Sequence, residues 1–411
     1  MMFNKILISV ATASIVALSA CSTAGTASAP SLGLAVADSV AIRNDIAYLA
    51  SDKLEGRLTG TAGNDSAAQY IARRYESLKL GSPFPGYLQK FLARPAANAH
   101  RGDTAGKATQ NVVAVLKGSD PAFAGQYIVI GAHFDHLGHE TQYAMDPEAK
   151  NAIRNGADDN ASGTAAVMQL ARMLSISRPK RSVIFANFSG EEEGLLGSQY
   201  FVDNPLVPLD SIVAMVNFDM VGRLKDDRLL IYGTGTATEL AALIDSANMK
   251  GLPSFKVAGG GDGFGSSDQS SFYAKNIPVL HFFTDIHEDY HRATDDVEKI
   301  NAGGEARVVD LAYRLIESID DRPPRLTFVK AAPSPRVAAS SSSGSQAYLG
   351  SIPNMSAGTV PGLKLSGVRA GSPADKADSR QTTSSSNSEE RLSQISRPTA
   401  RHCMHTNRAM S

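Results

Sequence analysis

The spacing of hydrophobic positions changes repeatedly along this chain. Apolar residues recur at helical spacing in DIAYLASDKL and in AAQYIARRYESLKLG, where the pattern stops at Gly81. The β-branched runs NVVAVLKG and QYIVIGAH, each bounded by glycine, predict strands buried in a sheet. Further strands are predicted at RSVIFANFS, SIVAMVNFD, RLLIYG and IPVLHFFT, and further helices at GTAAVMQLARML, LLGSQYFV, TELAALIDSA and GEARVVDLAYRLIESID. This alternation predicts an α/β fold, a three-layer sandwich around a mostly parallel mixed sheet.

The first twenty residues have the pattern of an export signal rather than of the fold. Lys5 precedes an apolar run over 6–18, which is too short to span a bilayer comfortably. The run ends in LSAC, which resembles the bacterial lipobox, in which the cysteine is lipidated. The alternative is an ordinary cleaved signal with a chance cysteine at position 21. We therefore expect a signal peptide over 1–20 and a tether over 21–37.

The residue after Cys21 is Ser22 rather than aspartate, which is typical of outer-membrane lipoproteins. The protein is accordingly expected to be exported, lipid-anchored on Cys21 and facing the periplasm. Cys403 is the one other cysteine in the sequence, so a disulfide framework is excluded. The formal net charge of −1 gives no electrostatic signature of nucleic-acid binding.

Composition divides the rest of the chain. The α/β pattern covers 38–322, and a Pro/Ser-rich linker without periodicity follows over 323–346. Residues 347–377 resemble the early part of a PDZ domain, but the strands and helix that would complete it do not follow. The segment 378–411 is interpreted either as a disordered tail or as the product of a frameshift near Ala377.

Five short stretches place acidic residues or histidines just after apolar runs. They are GAHFDHLG (131–138), NGADDNASG (155–163), FSGEEEGLLGS (188–198), NFDMVG (217–222) and EDYHRATDD (288–296). Open α/β sheets place their ligand crevice at the carboxyl ends of strands, where these stretches fall. Together they supply two histidines and three carboxylates, which suits two zinc ions about 3.5–4 Å apart that share one bridging group.

Each stretch also has a plain structural explanation. His133 could be an ordinary histidine at a strand end, although Asp135 two residues on is the kind of carboxylate that receives a ligand's second N–H. His136 and His139 compete with it as ligands from farther into the loop. Asp158 and Asp159 could instead stabilise the N-terminus of the helix that follows, where the helix dipole is positive.

The remaining stretches are similarly ambiguous when each is considered alone. Glu191, Glu192 and Glu193 could form a solvated helix start, but crowded carboxyls raise at least one pKa, which suits a general base. Asp219 interrupts an apolar run, where an acid is usually buried and paired. His291 lies in a polar loop with His287 nearby, and its interpretation as a ligand depends on the other groups of the set.

The five stretches resemble, in order and approximate spacing, the co-catalytic di-zinc aminopeptidase family. That family includes bacterial leucine aminopeptidases, glutamate carboxypeptidases and glutaminyl cyclases. The resemblance covers roughly residues 40–320 and includes LEGRLTGTAGNDSAAQYIARRY, SSDQSSFYAKNIPVLHFF and DYHRATDD. A departure is Gln269, which stands where many relatives carry histidine.

The resemblance implies a role for each candidate residue. It makes Asp158 the bridging carboxylate, with His133 and Asp219 completing one zinc site and Glu192 and His291 completing the other. It also makes Glu191 the general base, Asp135 the partner of His133, and Tyr290 a candidate stabiliser of the tetrahedral oxyanion.

The function implied is zinc-dependent hydrolysis of N-terminal peptide bonds, with two Zn²⁺ as cofactors and peptides as substrates. Residues 38–322 would then form a di-zinc peptidase domain. Two alternatives remain open: a carboxypeptidase or glutaminyl cyclase-like activity on the same fold, and a non-catalytic binding lipoprotein.

Overall fold

A computed structural model of the protein describes residues 35–95, 105–251 and 253–331, together with the backbone of 351–353 and 365–368. The expected signal peptide and lipid-anchored cysteine, most of the linker and the tail after Ala377 lie outside the described residues. So does the PDZ-like segment, apart from those two short stretches, which pair as antiparallel strands β9 (Ser351–Pro353) and β10 (Leu365–Val368). Within the described part of the chain, no helix is long and apolar enough to cross a membrane.

Six of the seven helices in the described residues lie close to where the hydrophobic spacing predicts them. The seven are α1 Ser39–Leu49, α2 Ala62–Ser77, α3 Gly163–Ser177, α4 Leu196–Asp203, α5 Leu240–Met249, α6 Gln269–Tyr273 and α7 Ala302–Asp320. A short 3-10 segment, Asp52–Arg57, joins α1 to α2. Thr61 and Asn301 begin α2 and α7 by accepting a backbone N–H three residues on, which satisfies one of the free donors of each first turn.

One eight-stranded sheet forms the middle layer. Its strands are β1 Leu88–Ala93, β2 Lys107–Leu116, β3 Tyr127–His133, β4 Ser182–Phe188, β5 Ile212–Phe218, β6 Arg228–Tyr232, β7 Lys256–Gly260 and β8 Val279–Phe283. Their order is β1-β2-β4-β3-β5-β8-β6-β7. The block β4-β3-β5-β8 is parallel throughout, as is β6 with β7, while β1-β2, β2-β4 and β8-β6 are antiparallel. The predicted mixed sheet is confirmed.

The two faces of the sheet bury different helices. Ile128 and Ile130 of β3 join the larger core, which includes residues of α1, α2, α3, α5 and α7, whereas Val129 joins the smaller core beside α4 and α6. Each large aliphatic side chain that is fully buried contributes about 1.5–3 kcal/mol. Burial on both faces explains why the central strands read as continuous apolar runs.

The parallel block brings the ends of its strands to one edge of the sheet, which we call the carboxyl edge. Residue pairs His133–Phe188 and Phe218–Phe282 lie side by side at the ends of their strands. The loops that follow β3, β4, β5 and β8 therefore begin at the same level, and these loops carry all five predicted stretches, two of them between β3 and α3.

Candidate metal centre

Asp159 occupies the middle of the polar cluster at the carboxyl edge. Its Oδ1 lies 3.4 Å from Nε2 of His133, and its Oδ2 lies 3.2 Å from Nε2 of His291. Two ligand atoms bound tetrahedrally to one zinc ion at about 2.0 Å are separated by about 3.3 Å. Each carboxylate oxygen of Asp159 therefore faces a different histidine at the separation that a shared metal ion requires.

His133 and Asp219 form the first of the two groups. Asp219 Oδ1 lies 3.5 Å from His133 Nε2, is buried and has no hydrogen-bond partner among the described residues. Burial acts to lower the pKa of His133, but Glu191 and Asp219 outweigh it and the pKa is raised well above its ordinary value. Burial acts to raise the pKa of Asp219, and His133 overcomes this and lowers it. Buried charged side chains of this kind are suited to binding a metal cation.

Glu192 and His291 form the second group. Glu192 Oε2 lies 3.2 Å from His291 Nε2, again the spacing of two ligands on one ion. Burial opposes the protonation of His291, but hydrogen bonds to Asp159 and Glu192 raise its pKa to about 11. Its other nitrogen, Nδ1, donates to the backbone carbonyl of Tyr143 at 2.8 Å, and Tyr290 stacks on the ring at a centroid distance of 3.9 Å. A carbonyl on the second ring nitrogen is the usual device for orienting a metal-binding histidine.

The loop over 138–154 supplies that carbonyl and lies beside the second group. Besides the contact from Tyr143, the N–H of Met145 donates to the carbonyl of His291 at 2.9 Å. The side chains of Tyr143 and Met145 are themselves exposed. Arg154 fixes the end of the loop through Asp146, whose carboxylate also accepts the N–H of Ala293.

The expected bridging role of Asp158 is wrong. Its carboxylate accepts the N–H of Gly222 at 2.7 Å and lies 3.1 Å from Nε2 of His287. The turn is not a regular helix at this point, and Asp159 has a more extended backbone (φ −105°, ψ 94°), so the two neighbouring side chains diverge. Asp295 stabilises this arrangement by accepting the backbone N–H groups of both aspartates. The central position belongs to Asp159.

Glu191 and Asp135 lie against the first group. The N–H of Glu191 donates to Asp135 Oδ1 at 3.2 Å, and Thr59 donates to Asp135 Oδ2 at 3.0 Å. His133 Nδ1 lies 3.2 Å from the backbone carbonyl of Asp135 and 3.6 Å from its carboxylate, so the backbone oxygen is the nearer partner. Burial raises the pKa of Glu191 well above its ordinary value, and Glu192 and Asp219 add to this against the opposing effect of His133.

Sequence reasoning passed over several residues of the site. Arg57, in the LEGR motif, is fully buried and donates to the carbonyls of Phe134, Asn155 and Gly156 among others, which ties the loop after β3 to the turn of Asp159. Asp268 is buried close to His133, and burial raises its pKa to about 7. An arginine buried against carbonyls leaves no periodic signal in a sequence. The Asp268 neighbourhood was noted only through Gln269.

The donor set fits two zinc ions. Imidazole nitrogens and carboxylate oxygens are the ligands that catalytic zinc takes, and the four ligand-atom separations of 3.2–3.5 Å fall in two groups that share Asp159. Close donor atoms also group His133 with Glu191 and Asp219, and His136 with Asp159 and Glu192. Glu191 and His136 therefore lie beside the proposed ligands of the first and second group.

Comparison with known proteins gives the family. Residues 111–316, half of the chain, match the model of peptidase family M28. A probable zinc metalloprotease of Pyrenophora teres f. teres is 37% identical over 114 residues, which make up 28% of this chain and 23% of that protein. Leucine aminopeptidase 2 of Trichophyton rubrum is 27% identical over 228 residues, covering 48% of this chain and 42% of that one. The chain thus spans less than half the length of these curated relatives.

Solved structures show the same fold at low identity. An aminopeptidase from Aneurinibacillus sp. strain AM-1 superposes with a TM-score of 0.56 at 18% identity, covering 71% of this chain and 96% of that one. BSAP, a zinc aminopeptidase from Bacillus subtilis, gives a TM-score of 0.56 at 17% identity, covering 71% and 98%. These matches confirm the expected fold, and the family match confirms the resemblance. The chain belongs to peptidase family M28.

Proposed function

We propose that the protein is a zinc-dependent exopeptidase that hydrolyses N-terminal peptide bonds at a dinuclear site. The observation that carries this proposal is the pair of Asp159 oxygens, each 3.2–3.4 Å from a different histidine. Membership of family M28 and the names of the similar proteins support the same reaction. The proposed ligands are His133, Asp159 and Asp219 for one ion, and Asp159, Glu192 and His291 for the other.

Two bound zinc ions would supply Lewis acidity toward the scissile carbonyl and lower the pKa of a water molecule toward about 7. Glu191 then takes a proton from the water on its carboxylate and delivers it to the leaving amine nitrogen. Burial of the Glu191 carboxylate, which raises its pKa above the ordinary value, favours uptake of the proton. Tyr290, stacked on His291, is the proposed donor to the oxyanion of the tetrahedral intermediate.

Zinc content and hydrolysis test the proposal together. We expect about two zinc ions per chain and cleavage of aminoacyl-p-nitroanilides that a chelator abolishes and added zinc restores. Parallel assays with γ-glutamyl and N-terminal glutaminyl substrates separate the aminopeptidase from the carboxypeptidase and cyclase activities. Less than one zinc per chain together with no hydrolysis of any of these substrates would instead identify a binding lipoprotein.

We further propose that Cys21 carries a lipid that anchors the enzyme in the outer membrane, facing the periplasm. The support is the sequence LSAC after a charged and apolar leader. Labelling of the expressed protein with radioactive palmitate, and its loss in Cys21→Ala, tests this. An unlabelled protein released in soluble form would contradict the anchor.

A further inference from the structure

We propose that His136 is a positioning residue that holds Glu192 in place through a hydrogen bond and does not itself bind zinc. The inference rests on the proposed dinuclear site and decides between two roles that the sequence leaves open for this histidine. His136 follows β3 by three residues and is fully buried.

The distance between His136 and Glu192 distinguishes the two roles. Nδ1 of His136 lies 2.7 Å from Oε1 of Glu192. Two ligand atoms on one tetrahedral zinc ion would be about 3.3 Å apart, as His291 and Glu192 are, so 2.7 Å is too short for shared coordination. It is the ordinary length of a charge-assisted N–H···O bond. His136 Nδ1 is also 3.9 Å from Asp159 Oδ2, farther than two ligands of one ion lie.

The two oxygens of Glu192 are thereby divided between two tasks. Oε1 accepts from His136, and Oε2 faces Nε2 of His291 at 3.2 Å. A carboxylate that is free to rotate could present either oxygen, or both, to a metal ion. The hydrogen bond from His136 selects Oε2 and fixes the plane of the carboxylate, which lowers the ordering cost when a metal ion binds.

The His136 ring is itself held by the turn that bears Asp159. A Cβ added at Gly156 would lie 2.5 Å from ring carbons of His136, so the ring packs directly on that glycine. Arg57 donates to the carbonyls of Phe134 and Gly156, on either side of this contact. The hydrogen bond to Glu192 therefore connects the loop after β4 to a rigid unit made of the loop after β3 and the Asp159 turn.

Three substitutions at position 136 test the proposal. The amide nitrogen of asparagine can occupy the place of Nδ1, whereas glutamine places its amide near the position of Nε2. We expect His136→Ala and His136→Gln to weaken the affinity for the second zinc ion by about 10–100-fold, and His136→Asn to stay within about threefold of the wild type. Affinity is measured by competition with a chromophoric chelator. His139→Ala, at an exposed histidine of the same loop, is the control and should leave zinc affinity unchanged.

X-ray absorption at the zinc edge gives a readout that does not depend on activity. The wild type and His136→Asn should both show two imidazoles for two zinc ions. If His136→Asn lost one zinc-bound imidazole and bound zinc as weakly as His136→Ala, His136 would be a ligand and the proposal would be overturned. If His136→Ala, His136→Gln and His136→Asn all bound zinc with the same affinity, the proposal would also be overturned. The proposed function would remain in that case, because the wild type still binds zinc and hydrolyses peptides. A wild type without zinc would overturn the proposed function and this inference together.

Discussion

Two fully buried arginines mark the two edges of the central sheet and show how differently those edges are built. Arg181 precedes β4 at the amino edge, and its guanidinium donates to the carbonyls of Ile319, Asp320 and Arg322. Arg57 lies beneath the carboxyl edge and donates to loop carbonyls in the same manner. In both cases one side chain joins segments far apart in the sequence through bonds to the backbone.

The surroundings of the two arginines differ. Around Arg181, the Asp320 carboxylate accepts hydrogen bonds from the backbone N–H groups of Lys180 and Arg181. These bonds directly compensate the negative charge of Asp320. At the carboxyl edge, Asp219 Oδ1 and both oxygens of Asp268 are buried without hydrogen-bond partners among the described residues. Nε of Arg322 is similarly unpartnered at the amino edge, but that side chain is 31% exposed.

The amino edge is thus arranged for stability, whereas the carboxyl edge is arranged for binding. Buried polar groups without partners cost about 1–3 kcal/mol each, and the carboxyl edge carries this cost beside the proposed zinc ligands. Arg57 is a buried cation, and its positive charge lessens the cost of burying the acidic groups of the site. Burial lowers its pKa to about 10, and the charges of Asp135 and Asp159 oppose the decrease.

The largest expected effect is at the two adjacent aspartates. Asp159→Asn should remove the shared ligand, reduce zinc content to one ion or fewer and bring hydrolysis to background, because asparagine keeps one uncharged oxygen and replaces the other with an NH2 group that does not bind zinc. Asp158→Asn should keep two zinc ions, since that carboxylate faces Gly222 and His287. Elemental analysis after dialysis measures both. Two zinc ions in Asp159→Asn and none in Asp158→Asn would restore Asp158 as the bridge.

Glu191→Gln should lower kcat by about 10²–10⁴-fold with zinc still bound, because the amide cannot take a proton from water. Since the substitution removes a buried negative charge, chemical denaturation should show no loss of stability. Glu193→Gln is the control, as Glu193 contacts Lys107 instead of the site. Hydrolysis near the wild-type rate in zinc-loaded Glu191→Gln would contradict the assignment.

The two arginines allow the comparison itself to be tested. Arg57→Lys and Arg181→Lys should each lower the free energy of unfolding by about 2–4 kcal/mol, because lysine cannot reach all the carbonyls and leaves some unpaired. Only Arg57→Lys should also weaken zinc binding, since only Arg57 holds ligand-bearing loops. Urea denaturation and chelator competition measure the two quantities. Equal loss of zinc affinity in both variants would show that general stability controls the site.

The smallest effect is expected at Glu305, a fully buried acid of α7 whose two oxygens lack partners among the described residues. Burial, with Asp158 and Asp45, raises its pKa well above the ordinary value. A raised pKa stabilises the fold below the ordinary pKa of glutamate, and this contribution is lost as the pH rises through the folded-state pKa.

Glu305→Gln should therefore match the wild type near pH 4 and be more stable by about 1–3 kcal/mol at pH 8. Denaturation curves at both pH values measure the difference. If Glu305→Gln increased the stability equally at pH 4 and pH 8, the charge of Glu305 could not be the cause of the increase.

The sequence predicts the fold well because the central strands are buried on both faces and the helices are amphipathic. It misses β1, in which buried and exposed positions alternate, β7, which is largely exposed and has no apolar run, and α6, which has five residues. All five proposed ligands lie within the five stretches, and the family resemblance implies four of them residue by residue. Asp158 and Asp159 could not be separated, because the direction of each side chain depends on backbone angles that the residue pair DD does not encode.

The loop over 138–154 has a consequence for the lifetime of the enzyme. It orients His291 through the carbonyl of Tyr143 and carries side chains that are 41% and 57% exposed at Tyr143 and Met145. Exposed loops of this kind are where proteases cut folded proteins. We expect that a single proteolytic cut there would release the His291 ring and inactivate the enzyme while its core and every ligand residue stayed intact. In a protease-rich compartment, this loop would therefore determine how long the enzyme stays active.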